Sequence, residues 1–276
     1  MYKDTLEKLN EMAIAKTQLL QTSRSRFLIS AALAGAYIGL AVVLSFSLGG
    51  LFSELSPPLA PLLVGLSFGV ALVLILFAGA ELFTGNNMVF TVSTLSGVTT
   101  WKESIQNWAW CYLGNFLGAS LFCILILLSG VFSNIANDHF LMVVASNKMS
   151  LGTSELFFRG ILCNWLVCLA IWCTLRTKND AAKIMMILWI LLTFIVSGYE
   201  HSIANMAILG LALIHPSPDS VTLAGYVSNI LPVTLGNIVG GTIFVGGVYW
   251  FISPERVKEE RKKNEVHVRK SVVSIK

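Results

Sequence analysis

Between Ile184 and Ile214 the chain runs through about 30 mostly apolar residues, and inside that run stands Ser197-Gly198-Tyr199-Glu200-His201-Ser202-Ile203-Ala204-Asn205-Met206. A bilayer core is crossed by about 20 helical residues, so this stretch carries a carboxylate and an imidazole to membrane depth. An ionisable group at a bilayer centre costs roughly 3 kcal/mol or more, and it persists where it faces a polar path or a partner. Glycine followed by two ionisable residues is also poor material for the middle of a helix. The helix is therefore expected to break here and restart, with its irregular backbone buried or lining a cavity. Both constraints mark a functional site and make His201 its leading residue.

Composition agrees. The 276 residues are 55% hydrophobic and only 12% charged, and the mean hydropathy is +0.74; soluble domains are about a quarter charged. The expectation is an all-α integral membrane protein. Met1 to Arg26 is polar and amphipathic with no apolar core of a signal peptide, so the N-terminus is expected to be retained. All five cysteines (Cys111, Cys123, Cys163, Cys168, Cys173) fall in apolar segments. They read as small core residues, and neither a disulfide framework, a metal site nor a cofactor is implied.

From about Lys3 to Gln21, Leu6, Leu9, Ala13 and Leu20 fall on one side of a helix, which reads as an interfacial amphipathic helix within a segment 1–24. Such a helix, tethered to the first span, could also line and gate the cytoplasmic entrance. Apolar segments follow at 27–50, 59–97, 104–132, 155–175, 184–214 and 225–252. The second would be nearly 60 Å long as one straight helix, yet its centre reads Gly79-Ala80-Glu81-Leu82-Phe83-Thr84-Gly85-Asn86-Asn87-Met88. It must be interrupted there or form two spans. Six spans place Lys3, Lys8, Lys16, Arg24, Arg26, Lys102, Arg176, Lys178, Lys183 and the basic tail 253–276 at one end of the bundle, and at the other only Lys148, with Arg159 just inside the fourth span. That is the positive-inside pattern of a cytoplasmic-membrane protein with both termini in the cytoplasm, whereas seven spans would put the basic tail outside. The net charge of +4 follows from topology, and no nucleic acid is needed to explain it. Lys148, isolated on its face, is expected to draw anions into the outer mouth.

The membrane region 25–252 divides into repeats at about 25–132 and 154–252. Leu113-Gly114-Asn115-Phe116-Leu117-Gly118-Ala119 matches Leu235-Gly236-Asn237-Ile238-Val239-Gly240-Gly241 at an offset of 122, and Asn87-Met88 recurs as Asn205-Met206 at an offset of 118. Three-span repeats enter the membrane in opposite senses, so the fold class expected is six transmembrane helices in two inverted repeats, the second and fifth broken at the midplane. That combination points to a midplane transport site. Half-helices starting near Gly85 and His201 would aim free N–H groups at the centre. With His201, Thr84, Asn164 and Asn205 they favour a small anion. Glu81 and Glu200 read as caps and network anchors, since a bare carboxylate repels anions, and the glycine pairs read as close helix packing.

Four separated motifs in this order carry a resemblance: Ala78 to Gly85, Leu162-Cys163-Asn164-Trp165-Leu166-Val167-Cys168-Leu169-Ala170-Ile171-Trp172, Ser197 to Met206, and Val233-Thr234-Leu235-Gly236-Asn237. Together they resemble the signatures of the formate/nitrite transporter family over nearly all of the membrane region. Glu81, where the formate branch usually has Asp, is closer to the nitrite and hydrosulfide branches. The resemblance implies an aquaporin-like protomer, a homopentamer in the lipid bilayer with one pore per protomer, and no enzymatic activity. It also implies one constriction from Phe68, Leu72 and Phe194, another from Leu82, Phe83 and Val167, His201 and Thr84 between them, and a polar network of Lys148, Asn164, Glu200 and Asn205. The function so implied is passage of small monovalent anions such as nitrite, formate or hydrosulfide, or of their conjugate acids. An aquaporin-type pore for neutral solutes and an intramembrane enzyme using Glu200 and His201 stand as alternatives, the first without the Asn-Pro-Ala pairs and the second without H-E-x-x-H or G-x-S-x-G.

Overall fold

The computed structural model describes residues 2–133 and 135–253, and among these every regular element is helical. The basic tail expected at 253–276 lies outside the described residues, Ser253 excepted. α1 (Lys3–Thr22) precedes α2 (Arg24–Leu55), α3 (Ala60–Leu74), α4 (Phe83–Leu95), α5 (Trp101–Ser129), α6 (Phe140–Ser150) and α7 (Thr153–Leu175). Then come α8 (Asp180–Val196), α9 (Ser202–Ile214), α10 (Leu223–Val239) and α11 (Val248–Phe251). Wider π-helical turns extend α3 through Ile75–Gly79 and join α10 to α11 through Gly240–Gly247. Among the described residues five helices are long and apolar enough to cross a membrane: α2, α3 with its π turn, α5, α7, and α10 continuing to Phe251.

Both expected interruptions are present. The π turn after α3 ends at Gly79 and α4 begins at Phe83, while α8 ends at Val196 and α9 begins at Ser202, so the restarts fall two residues before Gly85 and directly after His201. The chain turns through left-handed glycines at Gly79 (φ 80°) and Gly198 (φ 71°), conformations that a Cβ would strain. Each broken pair reads as one apolar run because its half-helices are themselves apolar.

α2 lies along α5, and α7 along α10. Small residues set these approaches: a Cβ on Gly35 would stand 2.0 Å from the Asn115 carbonyl oxygen, one on Gly118 1.8 Å from that of Ala32, and one on Gly236 2.1 Å from that of Phe157. Without a hydrophobic drive between helices in lipid, such backbone proximity supplies the dispersion contact that holds them. It also brings Asn115 and Asn237 against the breaks.

The apolar residues of α1, Leu6, Leu9, Ala13 and Leu20, are buried in the common core, with α1 seated on α4 beside α2 and α5. An amphipathic pattern serves a protein surface as well as a lipid one. The stretch between the apolar segments 104–132 and 155–175 contains α6, whose apolar side includes buried Leu141, Met142 and Ala145; its short run and weak periodicity hid it.

Gly118→Ala should lower stability by about 1–3 kcal/mol, because a rigid backbone must yield on both sides. Gly152→Ala, where a Cβ meets nothing within 4 Å, should melt like the parent. Thermal melting of the two purified proteins in one detergent makes the comparison.

Candidate functional site

Each half-helix begins with N–H groups that the break leaves without partners. Phe83 N–H donates to Asn115 Oδ1 and Ser202 N–H to Asn237 Oδ1, both at 2.9 Å. The same amides reach back, Asn115 Nδ2 to the carbonyls of Ala31 and Glu81, and Asn237 Nδ2 to those of Gly160 and Glu200. One carboxamide thus ties a start, a break and a neighbouring span. Glu81 and Glu200 are not the caps they were expected to be; these asparagines, first read as parts of a packing motif, fill that role.

The carboxylates instead hold cations. Lys148 Nζ lies 2.7 Å from Glu200 Oε1, with side-chain exposures of 17% and 2%, and Lys16 Nζ lies 2.6 Å from Glu81 Oε2, at 13% and 12%. Asn205 Nδ2 donates to Glu200 and to Asn229, and Asn86 Nδ2 to Glu81 and to Asn107. Glu81 to Glu200 and Asn86 to Asn205 are each 119 residues apart. The residue corresponding to Asn205 is therefore Asn86, and the Asn87–Met88 register of 118 is corrected by one. Five residues from glutamate to asparagine is the spacing that brings the amide under the carboxylate in both copies. Lys16 was missed, since nothing in the sequence joins it to a residue 65 positions away. Lys148 does not stand as a free cation; its charge is met by Glu200.

His201 works with both ring nitrogens. Nδ1 accepts from Ala204 N–H at 3.1 Å, capping α9, and Nε2 stands 3.0 Å from Thr84 Oγ1. An acceptor Nδ1 puts the proton of the neutral ring on Nε2, which then donates to Thr84. A second proton would fall on Nδ1 and break the cap.

A cavity of about 20 Å³ lies before this imidazole, lined by Phe68, Leu72, Leu82, Val167, Phe194 and His201 among others. The Phe68 and Phe194 rings meet edge to face with centroids 5.8 Å apart, and Phe194 lies nearly parallel to His201 at 6.3 Å. A larger cavity of about 270 Å³ shares Phe68, Phe194 and His201 with it and adds Phe46, Phe140, Lys148, Arg159, Glu200 and Asn205. It forms a vestibule ending at the aromatic wall.

Not every expected residue reaches these spaces. Phe83 packs edge to face on Tyr112, centroids 4.9 Å apart, and lines neither cavity. It directly follows Leu82, so its side chain leaves the helix in another direction. Asn164 also lies off the lumen: Nδ2 donates to the Thr84 and Asn237 carbonyls and to Asn87 Oδ1, fastening α7 to α4 and α10. Thr84 touches the site through His201 alone.

Broken apolar helices, a buried imidazole and an aromatic wall at the foot of a vestibule define a channel-like membrane protein. The family model described as "Formate/nitrite transporter" matches residues 3–251, and the chain belongs to that family of transporters and channels, not enzymes. It is 41% identical over 259 residues to the nitrite transporter NirC of Escherichia coli (strain K12), covering 92% of this chain and 94% of that protein. Among solved structures, an FNT family ion channel superposes with a TM-score of 0.88 at 40% identity, covering 91% of this chain and 100% of that one. A pentameric formate channel with formate bound does so with a TM-score of 0.72 at 30% identity, covering 84% and 98%. The chain is a multi-pass membrane protein of an anion-transporting family.

Removing one member of a buried ion pair leaves an uncompensated charge, which costs about 3–5 kcal/mol, whereas removing both is far milder. Lys148→Met should therefore lower the melting temperature sharply, and Lys148→Met with Glu200→Gln should recover most of the loss. Equal losses in the single and double variants would show that the two groups are energetically independent.

Proposed function

We propose that the chain is a pore for small monovalent anions, or for their conjugate acids, across the cytoplasmic membrane. The observation that carries this reading is the cavity of about 20 Å³ in which His201 is the polar group among apolar walls, near buried lysine–glutamate pairs. A space that holds about one water strips a solute of its hydration. A bare anion crosses such a wall at high cost and a neutral acid at much lower cost. The imidazole, neutral at rest, holds its Nε2–H where a solute can compete with Thr84 for it. Donation of that hydrogen bond, or transiently of the proton, would stabilise the anion between Phe68–Leu72–Phe194 and Leu82–Val167.

Nitrite, formate and hydrosulfide fit by size and charge, and the likeness to NirC together with Glu81 favours nitrite. The duplicated asparagine and ion-pair frames support six spans in two inverted repeats. Basic residues gathered toward α1 support cytoplasmic termini, with Lys16–Glu81 at the inner mouth and Lys148–Glu200 at the outer one. Likeness to the pentameric formate channel supports a homopentamer with one pore per protomer.

Flux in proteoliposomes tests the reading. Nitrite should pass and glycerol should not; glycerol flux without nitrite flux would make it a neutral-solute pore. His201→Asn, which keeps a donor but loses the titratable proton, should still conduct, with a weaker pH dependence. His201→Phe should nearly abolish nitrite flux in a protein that still assembles, and wild-type behaviour in both variants would reduce His201 to a tether.

Deleting residues 2–20 removes Lys16 from Glu81 and opens the inner mouth. Conductance or its pH dependence should change while the oligomer persists; an unchanged conductance would leave α1 as an anchor.

A further inference from the structure

The two ends of the site differ in one residue. Glu200 N–H donates to the Arg159 carbonyl at 3.3 Å, and at the other break Glu81 N–H donates to the Ser30 carbonyl at 3.2 Å. Arg159 and Ser30 hold equivalent places, yet one is a cation and the other a hydroxyl. Arg159 also donates through Nη1 to the Gly198 carbonyl at 3.0 Å, so the broken segment grips it by backbone and side chain together.

Among the charged side chains lining the vestibule are Lys148, Arg159 and Glu200. Lys148 and Glu200 offset each other. Arg159 pairs with Glu155, one turn away on α7, but Glu155 does not line the cavity and its side chain is 46% exposed. Inside the cavity one positive charge is therefore left over, set among apolar walls that focus its field. A guanidinium has five N–H donors; the Gly198 and Glu155 bonds engage two of them. Its side chain is 36% exposed, open to a solute while fixed in direction.

We infer that Arg159, and not Lys148, is the residue that gathers anions in the vestibule, holding a small monovalent anion before the Phe68–Phe194 wall. The inference rests on the reading of the chain as an anion pore. An arriving anion takes up the free donors and competes with Glu155 for the guanidinium. Ser30 offers nothing comparable, so the recruitment belongs to one mouth.

The experiment is initial nitrite uptake by the full-length protein in uniformly oriented proteoliposomes, from the vestibule side, against nitrite concentration and ionic strength. Arg159→Gln should raise the half-saturating concentration on the order of fivefold and flatten the salt dependence, the worth of one charge at close range in a wet site. Arg159→Lys should keep the salt dependence, and Glu155→Gln, which removes the competitor, should lower the half-saturating concentration. If Arg159 only clamps Gly198, Arg159→Gln lowers the limiting rate and leaves half-saturation and salt dependence as they were, which overturns the inference. Should Arg159→Gln fail to assemble, an unchanged half-saturating concentration in Glu155→Gln overturns it equally. A wild type that moves no nitrite removes the pore reading itself, whereas a conducting wild type matched by Arg159→Gln removes this inference alone.

Discussion

A helix that ends inside hydrocarbon leaves amide groups with no water to turn to, and the centre of this protein is arranged around that cost. Breaking α3–α4 and α8–α9 creates orphaned N–H groups, which Asn115 and Asn237 take up. Those amides reach the breaks because Gly35, Gly118 and Gly236 let neighbouring backbones nearly touch. Loss of the close approach would withdraw the amide and with it the reason the break is tolerated. Packing and site chemistry are thus one arrangement seen at two scales.

The breaks put polar atoms at depth without free charge. Each glutamate beside a restart has its lysine and its asparagine, and the imidazole between them is satisfied on both nitrogens in its neutral form. The frame is sealed electrostatically yet has a proton on Nε2 that can be shared. Beyond Arg159 and its vestibule, the polar atoms at the breaks are thus neutral pairs and a neutral donor, with no fixed counter-ion among them at depth.

Much of this was legible from residue type and spacing. Glu81, Glu200 and the glycines beside them disclosed the breaks because ionisable groups and helix breakers are rare in apolar runs, and the L-G-N-x-x-G repeat disclosed the duplication. What stayed hidden depended on distance in the chain or on side-chain direction. Lys16 joins Glu81 only once α1 is seated; Asn164 and Phe83 are turned off the lumen by their angle on the helix; the Asn86 register needed the hydrogen bond to be seen. α6 was lost in a connection because an 11-residue helix with little periodicity resembles loop. The roles of asparagine and glutamate were exchanged for a similar reason, since composition shows that a cap is needed but not which polar group reaches it.

The paired charges also bear on how the frame responds to electrical force. Carrying one elementary charge across a membrane at 100 mV is worth about 2.3 kcal/mol, which is how voltage-driven proteins are moved. Lys16, Lys148 and Arg159 each sit on a carboxylate, so a movement that carries both partners of a pair together displaces no net charge. In such a movement the membrane potential finds little in these three pairs to pull upon.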